Sequence, residues 1–426
     1  MKNRAAYRLL FTANAVSGFA QGITMLAIPW YFSTQLGKPE LFGTIYGLAT
    51  IFMIFWGLYA GSLIDRFSRK WVFFGVNLFG LVLLSSMSLF GYLTDGPGAI
   101  GAMLVFMGTI LIYNIHYPAL YAFGQEISER QDYARFTSWA EIIGQSTSIA
   151  SGAVGALLMA GVSEGDYQFA GSAFNIPFSF RAWRLEEIFL VDAITYAIGL
   201  ALIFFIRYTP VSIRTKEAGS AIKRIKTGVQ FLRDNPLILL FGNASFAVFV
   251  VLLITVQQLL PVYTNQHLHA GAGWYALSEM LYSIGAMLAG VGMIWAFRKK
   301  NLVFGIIILM TCTIGIYLIC AFSTLKWLFA ILCVAFGLCN AGTRVLRTTW
   351  LFNHVPNQTI GRVSSVFQTV NILLRGSFSL LFALPFFNRD GQIIYAYVIC
   401  ATFVGICLIP LVAKYKQLVT FEVKTN

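Results

Sequence analysis

The chain has 426 residues, of which 58% are hydrophobic and only 11% are charged. A soluble domain carries about a quarter charged residues. There are too few here to cover a water-facing surface, and the mean hydropathy of +0.73 points to a chain dissolved in a bilayer. The formal charge of +13 would suit nucleic acid on its sign alone, but the basic residues are spread over short connections between apolar runs, so no nucleic-acid partner is expected.

Crossing the hydrocarbon takes about 20 apolar residues in a helix. Twelve such spans are predicted, at 7–32, 42–64, 71–93, 99–123, 139–161, 188–206, 237–260, 273–297, 302–322, 327–350, 363–387 and 393–414. Span 1 is too long for a cleavable leader and carries Asn14, Ser17 and Gln21, so it reads as a retained helix. Most Lys and Arg fall in the termini and the even-numbered connections, among them Lys2, Arg4, Arg66, Arg69, Lys70, Arg298, Lys299, Lys300, Lys414 and Lys416. The positive-inside rule then places both termini in the cytoplasm. Membrane lipid is the one surface this charge is expected to meet.

Polar residues inside spans tend to face a cavity or a neighbour rather than lipid. In span 1, Asn14, Ser17, Gln21 and Thr24 form one helical stripe. Span 4 offers Asn114, Tyr117 and Tyr121, with His116 between them. Span 5 gives Glu141, Gln145 and Ser148, and span 6 opens with Asp192. The outer connection 162–187 is the longest on its side and reads as a solvated loop. Residues 207–236 are basic, and 220–233 (SAIKRIKTGVQFLR) put Ile222, Ile225, Val229 and Leu232 at helical spacing. This suits an amphipathic surface helix. It divides the chain into a six-helix bundle over 1–206, a linker over 207–236 and a second six-helix bundle over 237–426. A faint repeat supports the division, since ARFTS (134–138) precedes span 5 and GRVSS (361–365) precedes span 11.

In the second half, span 8 carries Tyr275, Glu279 and Tyr282. Span 10 carries Asn340, Arg344 and Arg347. Span 11 carries Ser364, Gln368, Asn371, Arg375 and Ser379 on one stripe. Arg375 sits mid-span, where insertion costs at least about 2.5 kcal/mol. It needs water, an acid such as Glu279, or an anionic ligand. Glu279 in a low-dielectric cavity is the leading proton-coupling candidate, with Asp192 second. Cys312, Cys320, Cys333, Cys339, Cys400 and Cys407 all lie inside spans and read as packing residues. His267 and His269 alone do not make a metal site, and neither metal nor cofactor is expected.

Residues 61–70, GSLIDRFSRK, resemble the signature loop between helices 2 and 3 of the major facilitator superfamily, although the family usually has Gly where this chain has Ser68. LAIPWYF (26–32), YPAL (117–120), FLVDAITY (189–196) and GVQFLRDNP (228–236) are similar to the branch that holds the enterobactin exporter and the macrolide efflux pumps. The resemblance implies an all-α membrane fold of twelve helices in two pseudo-symmetric bundles. It also implies a central cavity, to which Asn14, Gln21, Tyr117, Arg344, Gln368, Asn371 and Arg375 are assigned as substrate-binding residues. Asp65 would face the start of span 11 at Gly361 and Arg362, so that Asp65, Arg66, Arg69, Glu141 and Arg362 form a gate. Many relatives carry an acid in span 1 where this chain has Gln21, which puts a direct carry-over of their coupling in doubt.

The expected function is proton-coupled export of an amphipathic, anionic small molecule, a siderophore or drug-like compound, by a monomer. An importer of a similar anion and a lipid flippase are the alternatives. No nucleophile–base set, metal motif or phosphate-binding glycine loop supports an enzyme.

Overall fold

The structure is a computed structural model. It describes residues 3–127, 132–162, 165–169, 172–177, 179–208, 221–297, 301–389 and 391–421. Within these, the side chains of several helix residues, including Asp65, Arg66 and Glu141, lie outside the described part.

Helices dominate because an apolar chain in lipid must satisfy its backbone internally. They run α1 (Arg4–Trp30), α2 (Pro39–Arg66), α3 (Arg69–Thr94), α4 (Gly98–Ile127), α5 (Tyr133–Ala160) and α6 (Leu185–Phe204). Then follow α7 (Ala221–Asp234), α8 (Pro236–Ile254), the short α9 (Leu260–Val262), α10 (Ala272–Phe297) and α11 (Leu302–Phe322). The chain closes with α12 (Lys326–His354), α13 (Asn357–Phe382), α14 (Ile393–Ala413) and the short α15 (Tyr415–Val419). π turns extend α1 over Tyr31–Gln35 and flank α9 over Thr255–Leu259 and Tyr263–His267. Residues 236–267 therefore form one continuous helical rod. Among the described residues, ten helical segments are long and apolar enough to span a bilayer. The apolar α10 and the more polar α13, of 26 residues each, are also long enough to cross, which is consistent with the twelve expected spans.

The polarity of the surface is inverted relative to a soluble protein. Ile100, Phe322 and Leu93 are each more than three-quarters exposed, while Thr24, Asp192 and Ser245 are fully buried. Large apolar side chains on the outside and satisfied polar ones inside suit a lipid solvent.

The helices gather into two compact units. The first comprises residues 1–38, 60–214 and 269–280. In it α1 packs on α5 and α6, and α3 packs on α4 and α6. One end is braced by Arg69, whose Nη1 donates to Glu126 Oε2 at 2.9 Å, with Tyr208 Oη donating to Glu126 Oε1 at 3.0 Å. Beside it Lys70 Nζ donates to the carbonyls of Phe204 and Ile206 at 2.9 and 2.7 Å. A cation there satisfies the open carbonyls at the end of α6 and complements its dipole. At the other end Arg181 and Arg184 pair with Glu187, Asp95 and Glu186. The connection expected to be a solvated loop contains an antiparallel hairpin, β1 (Gly165–Phe169) against β2 (Ser172–Ile176).

The second unit comprises residues 39–59, 215–268 and 281–426. Here α8 is central, packed on α12, α13 and α14, and α11 packs on α12 and α14. Tyr263 and Tyr397 stack at 4.4 Å, and Thr255 Oγ1 lies 2.7 Å from Tyr317 Oη. The amphipathic α7 lies on α13 rather than on lipid alone. A Cβ at Gly228 would stand 2.5 Å from the Arg362 carbonyl, so glycine permits this contact. After α15, Phe421 stacks on Trp350 at 6.2 Å. All six cysteines are free thiols.

Candidate functional site

The polar stripe of α1 is fully engaged inside the first unit. Thr24 Oγ1 donates to Asp192 Oδ2 at 2.7 Å, and Gln21 Nε2 donates to Tyr196 Oη at 2.9 Å. His116 Nε2 lies 2.8 Å from Asn14 Oδ1, and Ser17 Oγ donates to the Ala13 carbonyl at 2.7 Å. Asn14, Gln21 and Asp192 thus belong to a buried ladder joining α1 to α4 and α6. Tyr117 is more exposed and stacks on Tyr113 with centroids 5.4 Å apart. Glu279, on the part of α10 that belongs to this unit, is half-buried. Among the described residues the ion pairs are Arg69–Glu126, Arg181–Glu187, Arg184–Asp95 and Arg184–Glu186, so Glu279 has no basic partner in its unit. No group of His, Cys, Asp and Glu among the described residues could hold a metal ion.

The second unit holds a different arrangement. None of those four ion pairs lies in it, yet it contains two arginines set against aromatic rings. The Arg347 guanidinium sits 3.6 Å from the Phe246 centroid, with Nη1 donating to the Ser245 carbonyl at 3.1 Å. The Arg375 guanidinium sits 5.7 Å from the Phe249 centroid. Phe246 and Phe249 stand one turn apart on α8, half-buried on a rod whose neighbouring positions are sealed. They form an aromatic wall, and each ring face attracts a cation. Tyr46 of α2, hydrogen-bonded to Thr50, lies within electrostatic reach of Arg375.

Several buried polar atoms of this unit have no hydrogen-bond partner among the described residues. They include Arg375 Nε, both amide atoms of Asn371, Asn340 Oδ1 and Thr343 Oγ1. Each such atom costs about 1–3 kcal/mol when sealed from water. Asn371 is 1% exposed. Arg375, on the same helix as Asn371, also has no carboxylate partner among the described residues.

Of the other residues expected at the site, Gln368, Arg344 and Arg362 are exposed. Arg69 serves the brace to Glu126 within its unit. Asp65, Arg66 and Glu141 lie outside the described side chains. Phe246, Phe249, Tyr46 and Thr50 were not legible beforehand. The two phenylalanines sit in an unbroken apolar run, where only their spacing by one turn hints at a shared face.

The model of the Major Facilitator Superfamily matches residues 10–378. The chain belongs to this superfamily of membrane transporters. It is 20% identical over 394 residues to macrolide efflux protein A of Streptococcus pyogenes, covering 90% of this chain and 89% of that one. Solved structures give the same fold. The nucleoside transporter NupG superposes with a TM-score of 0.70 at 12% identity, covering 96% of this chain and 99% of that one. A bacterial homologue of the iron transporter ferroportin, in its inward-facing state, superposes at 0.68 with 13% identity, covering 95% and 98%. The D-xylose–proton symporter does so at 0.66 with 13% identity, covering 95% and 97%. The protein is an integral membrane transporter and not an enzyme.

Proposed function

We propose that this transporter exports an amphipathic, anionic small molecule from the bacterial cytoplasm, in exchange for protons, by alternating access. The observation that carries the reading is Arg375, which lies about two turns before the end of α13 at Phe382 rather than at mid-span, with no carboxylate partner among the described residues of its unit and with an unpartnered Nε. A charge at that depth is costly and calls for a counter-charge. The aromatic wall beside it supplies apolar surface for the rest of the ligand. The likeness to a macrolide efflux protein supports export.

Alternation would set the bundle 1–206 against the bundle 237–426, in a monomer whose basic connections and termini face the cytoplasm. Asp65, Arg66, Glu141 and Arg362 would close the cytoplasmic side. Glu279 suits proton exchange better than Asp192. It is half-buried with no basic partner in its unit, whereas Asp192 is 0% exposed and bonded to Thr24.

The test uses proteoliposomes of the full chain under an imposed pH gradient, with an aromatic carboxylate and a macrolide as separate probe ligands. Carboxylate movement against the proton gradient is expected, abolished by Arg375→Ala and made independent of the gradient by Glu279→Gln. Transport of the macrolide alone, or full carboxylate transport by Arg375→Ala, overturns the anionic reading. Gradient-independent transport by the wild-type chain overturns the antiport.

A further inference from the structure

Asn371 and Arg375 stand four residues apart on α13, and residues at that spacing share one face, one turn above the other. Arg375 carries a fixed positive charge and a free Nε–H donor. Asn371 offers an N–H donor and a carbonyl acceptor, neither with a partner among the described residues, while being 1% exposed. An anion alone would satisfy the two donors and leave the Asn371 Oδ1 without a partner. A cation or an apolar ligand would satisfy still less.

We propose that this face of α13 recognises a carboxylate with a hydrogen-bond donor on the adjacent carbon, as in an aromatic 2-hydroxy acid. The carboxylate takes the Arg375 Nε–H and the Asn371 amide N–H. The hydroxyl donates to Asn371 Oδ1, and the ring lies along Phe249, whose face also holds the guanidinium. The inference rests on the anionic-ligand reading above and adds to it a second, directional requirement. The competing account of Asn371 is a carboxamide that merely holds a water molecule.

Mandelate and phenylacetate separate these accounts, since they differ only by the hydroxyl. Equilibrium binding of each to the purified full-length protein is the measurement. The wild-type chain is expected to bind mandelate at least about tenfold more tightly than phenylacetate, the ratio that one well-made hydrogen bond gives. Asn371→Leu should bring the two affinities together, with a melting temperature no lower than the wild type, because an unsatisfied polar pair is replaced by an apolar group of similar size. Arg375→Gln should weaken both acids by a similar factor.

Equal wild-type affinities, or a preference that survives in Asn371→Leu, overturn the inference and leave the anionic reading standing. Unchanged binding of both acids to Arg375→Gln, or no binding of either acid to the wild type, overturns the two together. The wild-type comparison needs no variant to fold.

Discussion

The pair Thr24–Asp192 shows how one carboxyl is accommodated in the interior of the first unit. Asp192 is sealed from solvent, and its Oδ2 accepts a 2.7 Å hydrogen bond from a threonine 168 residues away. None of the ion pairs described for that unit includes it. Thr24→Val keeps the shape and removes the donor. It should destabilise the protein by about 1–2 kcal/mol, read as a lower melting temperature in detergent, with Thr24→Ser close to wild type. A melting temperature unchanged by Thr24→Val would show that the bond contributes nothing net. Both residues stood out in the sequence as polar positions inside spans. Their pairing did not, because periodicity reports which face a residue takes and carries no information on what meets that face. The same limit hid the aromatic wall. Arg375 was legible as an expensive charge, but Phe246 and Phe249 looked like any other apolar residues in a helix rich in them.

Where α2 meets α13, the helices approach closely enough for backbone to touch backbone. A Cβ on Gly376 would fall 2.5 Å from Ile51 and 3.3 Å from the Gly47 carbonyl, and one on Gly47 would fall within 3.1 Å of the Leu380 amide nitrogen. Small residues give this kind of approach in lipid, where van der Waals contact rather than water exclusion drives association. Hydrogen bonds tie the seam to the rod of α8 and α9. Ser379 Oγ lies 3.0 Å from the Gly43 carbonyl and 2.5 Å from Gln258 Oε1, and Gln258 Nε2 donates to the Ser379 carbonyl at 3.1 Å. Gln258 lies in a π turn, the wider winding often found where a helix re-aims a side chain for a purpose. Gly47→Val should cost about 1–3 kcal/mol by overpacking and slow transport, whereas Gly57→Ala, with open space around it, should leave both near wild type. Equal behaviour of the two variants, measured by melting temperature and by transport, would remove the seam from the account. The long helices themselves were legible because twenty apolar residues have few alternatives in a bilayer. The hairpin over 165–176 was not, since two five-residue strands in a polar connection leave too little periodicity to read.

At the scale of the whole molecule, the two units divide the charge unequally. The ion pairs Arg69–Glu126, Arg181–Glu187 and Arg184–Asp95 all brace the ends of the first unit. The interior of the second has two arginines against rings and no ion pair among its described residues. An interior biased toward positive charge favours anions and discourages cations throughout a cycle. That bias links the unpaired Arg375 to the voltage across the membrane. A ligand with one negative charge leaving a cell that is negative inside moves down the electrical gradient, worth about 2.3 kcal/mol per 100 mV. If one proton enters for each such anion that leaves, two charges cross per turn and the electrical drive doubles. A potassium diffusion potential set by valinomycin, at equal pH on both sides, should therefore accelerate efflux of a carboxylate when the cytoplasmic side is negative and slow it when the sign is reversed. A rate indifferent to the sign would mean that no net charge moves with the ligand. On this reading the uncompensated guanidinium is an electrical component, and the resting voltage of the cell, as much as its proton gradient, powers the export.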